Sequence, residues 1–154
     1  MNNILEIIKK RGKLKQVFLS DLKEFLNDKK GAEKILQKSN PLIYTVKSIE
    51  EYQISYGITK INPGKIGKDY FLTKGHYHKE KSSEVYYLLK GTGLLLLKKE
   101  KQKKKIKLKK NYFHYIPEGH SHRVINTGKT PLEFLSIYQT NSNPDYSKIK
   151  KQGF

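Results

Sequence analysis

At 154 residues, with 36% hydrophobic and 11% aromatic content, the chain suits one domain with a core of ordinary size. It has no cysteine, which excludes disulfides, thiolate metal sites and cysteine nucleophiles, and leaves His, Asp and Glu as donors for any transition metal. The formal net charge of +18 attracts anions, but nearly every basic residue is Lys, with Arg only at Arg11 and Arg123; Arg is preferred for bidentate phosphate and base contacts, so specific nucleic-acid binding is not expected.

The segment Met1 to Lys15 is mixed and charged, with no apolar run long enough for a leader or a membrane span. The expectation is a soluble, cytoplasmic protein with no membrane partner. Residues 1–40 read as a helical extension packed on the rest of a single domain. Ile4, Leu5, Ile7 and Ile8 form a short apolar face, and Asp21-Leu22-Lys23-Glu24 resembles a capping box opening a helix over Leu22 to Asn27. Ala32 to Leu36 adds a further turn or two, and Ser39-Asn40-Pro41 is a breaker.

From residue 41 to 154 the pattern changes to short runs rich in β formers: Ile43–Val46, Tyr52–Ile61, Tyr70–Thr73, Glu84–Leu89, Gly93–Lys98, Ile106–Leu108, Tyr112–Ile116, His122–Asn126 and Leu132–Tyr138. Turn signals separate them, among them Asn62-Pro63-Gly64, Gly91-Thr92-Gly93, Pro117-Glu118-Gly119 and Asn126-Thr127-Gly128. Many short strands with regular turns predict an all-β sandwich or barrel. Lys98 to Lys110 is a basic low-complexity run. Ile106 and Leu108 alternate with lysines there, as in a hairpin with one solvated face, and edge lysines oppose strand-to-strand association.

Four of the five histidines fall in two tight groups. In Gly75-His76-Tyr77-His78, residues two apart on a strand point to one side, so two imidazoles share one space. Glu84 follows six positions after His78 and opens a strongly β run. The second group is Pro117-Glu118-Gly119-His120-Ser121-His122. Neutral imidazoles with a carboxylate suit one divalent ion such as Fe, Mn, Ni, Zn or Co. His120 and His122 are also two apart, and spacing does not choose between them as the fourth ligand. His114 lies inside an apolar run, where packing accounts for it.

Gly75-His76-x-His78 with Glu84 and Gly91 resembles the first cupin motif, and Pro117-x-Gly119-x-x-His122-x-x-x-Asn126 resembles the second. The resemblance implies a double-stranded β-helix barrel, or jelly roll, holding a metal through His76, His78, Glu84 and His122, and so favours His122 over His120. Thr73-Lys74-Gly75-His76-Tyr77-His78, Glu84-Val85-Tyr86-Tyr87, Leu89-Lys90-Gly91-Thr92-Gly93, His122-Arg123-Val124-Ile125-Asn126 and Phe134-Leu135-Ser136-Ile137-Tyr138 are similar to the cupin-type glucose-6-phosphate isomerases.

That resemblance covers roughly residues 40–150. It implies metal-dependent aldose–ketose isomerisation of a phosphorylated sugar, glucose 6-phosphate to fructose 6-phosphate, in glycolysis or gluconeogenesis. It also implies a homodimer, a catalytic role for Glu84, and substrate contacts at Thr59, Thr73, Gly75, Tyr86, Tyr138 and Tyr44. Departures from the family pattern are the six-position step from His78 to Glu84, Asn111 where a Gly usually opens the second motif, and Pro144 near the place of an expected loop His. Other metal-dependent cupin enzymes, such as a dioxygenase or a nucleotide-sugar isomerase, and a non-catalytic sugar-binding cupin are the alternatives.

Overall fold

The computed structural model describes residues 3–152, so the outermost residues of both predicted segments lie outside it. In chain order the elements are helix α1 (Ile4–Arg11), strand β1 (Lys13–Phe18), the short helices α2 (Leu19–Leu22) and α3 (Lys29–Leu36), and the long strands β2 (Leu42–Glu50) and β3 (Ile54–Ile61). Three two-residue strands follow, β4 (Lys65–Ile66), β5 (Asp69–Tyr70) and β6 (Tyr77–His78). The second half carries β7 (Glu84–Lys90), β8 (Gly93–Lys99), β9 (Gln102–Lys107), β10 (Phe113–Ile116), β11 (Ser121–Asn126), β12 (Leu132–Gln139), β13 (Pro144–Asp145) and helix α4 (Ser147–Gln152).

Two antiparallel sheets form the barrel walls. One has six strands in the order β1-β2-β3-β12-β7-β10, and the other has three, β11-β8-β9. Alternation sets what each strand contributes. On β7, Glu84, Tyr86 and Leu88 are buried while Val85, Tyr87 and Leu89 are half-buried, and on β8 Gly93, Leu95 and Leu97 face inward in the same way. Leu88, Leu95, Leu97, Val124, Leu132 and Phe134 join Ile43 and Ile61 in one apolar core. Burial of such side chains is worth about 1.5–3 kcal/mol each, and here it floors the cavity that holds the polar groups.

The expectation of an all-helical segment before residue 40 is corrected at Lys13–Phe18. That run pairs antiparallel with β2, from Lys13 opposite Ser48 to Phe18 opposite Leu42. An edge strand with lysines on its open side carries little apolar alternation, which is why it does not read as a strand. The second helix also starts earlier than predicted. Asp21 lies within its first turn, where its carboxylate accepts the Phe18 N–H at 2.9 Å. Asp28 caps α3, accepting from the Gly31 N–H at 2.7 Å.

The lysine run forms the β8–β9 hairpin, with Leu97 opposite Lys104 and Leu95 opposite Ile106. Lys103, Lys104, Lys105 and Lys107 are exposed while Leu108 is buried, as the solvated-face reading expects. Among the described residues no helix is long and apolar enough to cross a membrane.

Candidate metal centre and substrate pocket

The two histidine motifs meet because their backbones pair. His76 and His122 form an isolated antiparallel bridge. Glu84 enters from the opposing sheet at the start of β7, where it lies opposite Ile116 on one side and Tyr138 on the other. His76, His78, Glu84 and His122 each offer one donor atom, and these atoms all lie within 4.8 Å of one another.

The separations fit a shared cation. His76 Nε2 is 3.3 Å from His78 Nε2. Glu84 Oε2 is 2.9 Å from His122 Nε2, 3.2 Å from His78 Nε2 and 3.7 Å from His76 Nε2. Donors placed about 2.1 Å from one centre are separated by roughly 3.0–3.4 Å. The far nitrogens are already engaged: His78 Nδ1 donates to the Ser142 carbonyl at 3.0 Å, and His122 Nδ1 to the His120 carbonyl at 3.3 Å. Each bond holds the proton on Nδ1 and leaves the Nε2 lone pair facing inward, the outer-shell arrangement of metal-ligating imidazoles. His122 Nε2 is fully buried and makes no hydrogen bond of good geometry. A buried lone pair aimed into a cluster of donors has its natural partner in a metal ion.

The electrostatics match. Burial pushes the Glu84 carboxyl up, but the polar surroundings supplied by the side chains of His122, His76 and His78 outweigh it and hold the group well below its ordinary value. Burial, reinforced by the nearby His122, pushes His76 down to about 4, so it stays a neutral donor at physiological pH. Tyr86 is raised well above the ordinary phenol value by burial first and the Glu84 charge second, and it hydrogen-bonds Glu84. Its hydroxyl therefore stays protonated and donates to the carboxylate. Burial likewise raises Tyr44, and it raises Tyr138 to about 12.

The cluster opens into a cavity lined by every sequence-predicted substrate residue: Thr59, Thr73, Gly75, Tyr86, Tyr138 and Tyr44. Gly75 adopts a left-handed φ of 73°, which lets the chain turn between Thr73 and His76 without a Cβ penalty. Sequence reasoning missed Lys15, Ser48, Lys74, Ser136 and Tyr146, which also line the cavity. Ser136 alternates with Phe134 and Tyr138 on β12, and Lys74 lies within the Thr-x-Gly motif, so both had local signals. Lys15 and Tyr146 had none, since strand pairing and a returning loop bring them in. Pro144, where a His is expected, also lines the cavity, and it pairs with His78 through the β13–β6 bridge.

Arg123 follows the ligand His122 and is buried. It donates to the Phe25 carbonyl at 3.2 Å and to the Lys74 carbonyl at 2.6 Å, tying the ligand strand to the Thr73–His76 loop and to the N-terminal segment. Burial lowers its guanidinium to about 10, which leaves it charged at neutral pH. His120 takes no part in the cluster, and its Nδ1 bonds the Glu118 carbonyl. His114 packs away from the cavity, its Nε2 accepting the Lys109 N–H at 3.0 Å.

The family model described as "Glucose-6-phosphate isomerase (GPI)" matches residues 9–154. The chain is 39% identical to the glucose-6-phosphate isomerase of Pyrococcus abyssi over 142 residues, covering 88% of this chain and 75% of the relative. The Thermococcus gammatolerans enzyme of the same name is also 39% identical over 142 residues, with the same coverage. A putative glucose-6-phosphate isomerase of Rhizobium meliloti is 38% identical over 100 residues, 64% of this chain and 47% of the relative. Among solved structures, the oxalate decarboxylase of Bacillus subtilis, a protein with Mn(II) centres, superposes at TM-score 0.55 and 19% identity over 64% of this chain and 26% of its own. An oxalate oxidase superposes at 0.51 and 18%, covering 60% of this chain and 45% of its own. At such identities these two establish the cupin fold alone.

Proposed function

The chain belongs to the glucose-6-phosphate isomerase family, and from that premise we infer that it interconverts glucose 6-phosphate and fructose 6-phosphate with one divalent metal ion. The observation that carries the metal-dependent part is the three-histidine, one-glutamate cluster, with His78, Glu84 and His122 buried and His76 half-buried, in a cavity walled by hydroxyls.

Isomerisation moves a hydrogen between C1 and C2 and redistributes charge between two oxygens. When bound, a divalent ion polarises the carbonyl and fixes the adjacent hydroxyl. His76, His78, Glu84 and His122 would hold it. The carboxylate of Glu84 keeps its negative charge, because three imidazoles and the Tyr86 hydroxyl stabilise the ionised form. A carboxylate so engaged is a poor base. Its catalytic part is therefore to hold charge and orient the reacting oxygens, while hydride passes directly between C2 and C1 and the hydroxyl proton moves between O2 and O1 in the same sense. Tyr138, protonated throughout the neutral range, donates to a sugar oxygen, and the Tyr86 hydroxyl, whose proton goes to Glu84, accepts from a sugar hydroxyl. Thr59, Thr73 and the Gly75 amide receive the phosphate, with Tyr44 beside them: the Lys74 N–H reaches its hydroxyl at 3.5 Å. Buried apolar neighbours such as Phe134 keep water from the reacting carbons.

A coupled assay on chelated protein reloaded in turn with Fe, Mn, Ni, Zn and Co tests this reading. Turnover of both sugar phosphates should return with at least one ion, and no turnover with any of them removes the isomerase. Running the reaction in deuterium oxide separates the routes, since direct transfer leaves C1 and C2 free of solvent deuterium and abstraction by Glu84 through an enediol incorporates it.

We further propose that the enzyme is a cytoplasmic homodimer closed through a sheet edge. On the edge strand β10, Phe113 is 65% and Tyr115 59% exposed. Two large aromatics on an open edge favour a partner strand. Sedimentation velocity should give twice the 18.0 kDa chain mass, and a Phe113→Asp, Tyr115→Asp double variant should sediment as a monomer.

A further inference from the structure

We propose that Lys15 and Lys74 form a clamp for the substrate's phosphate, closing on it from opposite sides of the pocket mouth; this rests on the isomerase reading above. Both lysines line the cavity. Lys15 is in register with Val46 on β2, and Val46 with Thr59 on β3, and all three line the pocket. The ammonium of Lys15 thus rises from the same sheet row as the Thr59 hydroxyl, two strands away, or about 10 Å between backbones. A flexible four-carbon stem spans much of that gap.

Lys74 comes from the facing loop, between Thr73 and Gly75. Its carbonyl is held by Arg123, so the backbone beneath this lysine is fixed. Its ammonium stands 5.6 Å from the Phe25 ring centre, and that of Lys150 on α4 stands 5.4 Å from the same ring.

Two elements distant in sequence therefore bring the ammonium groups of Lys74 and Lys150 to one ring, and Lys15 lines the same cavity as Lys74. Like charges gathered in this way cost stability unless an anion joins them. A phosphomonoester carries about −1.5 to −2 charge at neutral pH and offers several strong acceptor oxygens, which matches the surplus. The pocket then reads as two-ended: the metal centre takes the carbonyl end of the sugar and the lysines take the phosphate. Discrimination against unphosphorylated sugars follows, because a neutral sugar would leave the ammonium groups unbalanced.

Calorimetric titration of the metal-loaded protein with sorbitol 6-phosphate, which has the phosphate but no carbonyl to isomerise, tests the clamp directly. Lys15→Met and Lys74→Met should each raise Kd about tenfold, the loss of one charge-assisted hydrogen bond. Lys15→Arg and Lys74→Arg should stay near wild type, with metal content unchanged throughout. In the coupled assay KM for both sugar phosphates should rise in parallel with Kd, and kcat should change little.

Inorganic phosphate should inhibit competitively, with an inhibition constant that rises in the same Met variants. Non-competitive binding would instead mark a separate anion site and overturn the proposal. A double Met variant with wild-type Kd and KM would also overturn it, leaving the isomerase reading intact. Weaker sorbitol 6-phosphate binding in the Met variants of a protein that turns over no sugar phosphate would remove the isomerase and keep the lysines as an anion clamp.

Discussion

His76 and His122 bond to each other twice through the backbone, His76 N–H donating to the His122 carbonyl at 3.1 Å and His122 N–H to the His76 carbonyl at 3.0 Å. The pairing brings the two rings within 4.3 Å, centre to centre, although they stand 46 positions apart in the chain. In an antiparallel ladder a slip of one residue would send either ring to the other face. The candidate metal centre is thus set by strand register, and its tests begin with the residues that share this bridge.

His122→Ala should abolish stoichiometric metal uptake, read by elemental analysis after dialysis, because it removes a buried donor atom that has no other good partner. His120→Ala, two residues away, should keep full metal content. Its ring bonds the Glu118 carbonyl, and the His122 ring is held by the His120 backbone, which the substitution retains. Equal losses in the two variants would contradict the assignment.

Glu84→Gln keeps the shape and removes the charge that three imidazoles surround. Metal affinity should fall by at least about a hundredfold, the upper range seen for perturbing a ligand's surroundings, and kcat should fall with it even at saturating metal. Circular dichroism should be unchanged, since Gln can still accept the Tyr86 hydroxyl. Retained kcat at saturating metal would remove Glu84 from the catalytic set.

Acid should destabilise the metal-free protein before other effects set in. His76 titrates near 6.5 when unfolded and about 4 when folded, so between those values the unfolded chain binds the extra proton. Its contribution is fully present above pH 6.5 and is lost as pH falls toward 4, a change on the order of 3 kcal/mol. Glu84, also depressed, loses stability in the same direction at lower pH. Thermal melts of chelated protein between pH 7 and 5 should show Tm falling. A flat profile would mean that the surroundings of His76 do not hold it below its ordinary value.

Two turns test the backbone geometry separately from the chemistry. Gly91 has φ 88°, and a Cβ there would stand 2.6 Å from the Pro131 carbonyl oxygen. Gly91→Ala should therefore cost at least about 1–3 kcal/mol, read by denaturant unfolding. Asn111 occupies a left-handed φ of 57° where the family pattern has Gly. Asn tolerates that region, so Asn111→Gly should be close to neutral and Asn111→Val clearly destabilising.

Much of the site was legible before any coordinates. The His76-x-His78 spacing, Glu84 opening an alternating strand, and the Pro117-to-Asn126 motif named all four members of the cluster, and the surrounding Thr, Gly and Tyr positions named six of the residues lining the pocket. The histidine spacing and the position of Glu84 are local signals, because a strand's two-residue period is written in adjacent positions, whereas the six pocket residues came from the resemblance to the cupin-type isomerases. His120 and His122 share both the period and the turn, so spacing alone left them equal. Resemblance to a motif separated them, and the bridge to His76 gives the physical reason.

The amino-acid sequence by itself determined the strand pattern, the ligand types and the absence of thiol chemistry. Tertiary structure alone decided that Lys13–Phe18 is a strand, that Lys15 and Tyr146 reach the pocket, and that Arg123 joins the ligand strand to the N-terminal segment. Edge pairing, returning loops and buried long-range hydrogen bonds join residues far apart in the chain, and such contacts leave no periodic trace in the neighbouring residues.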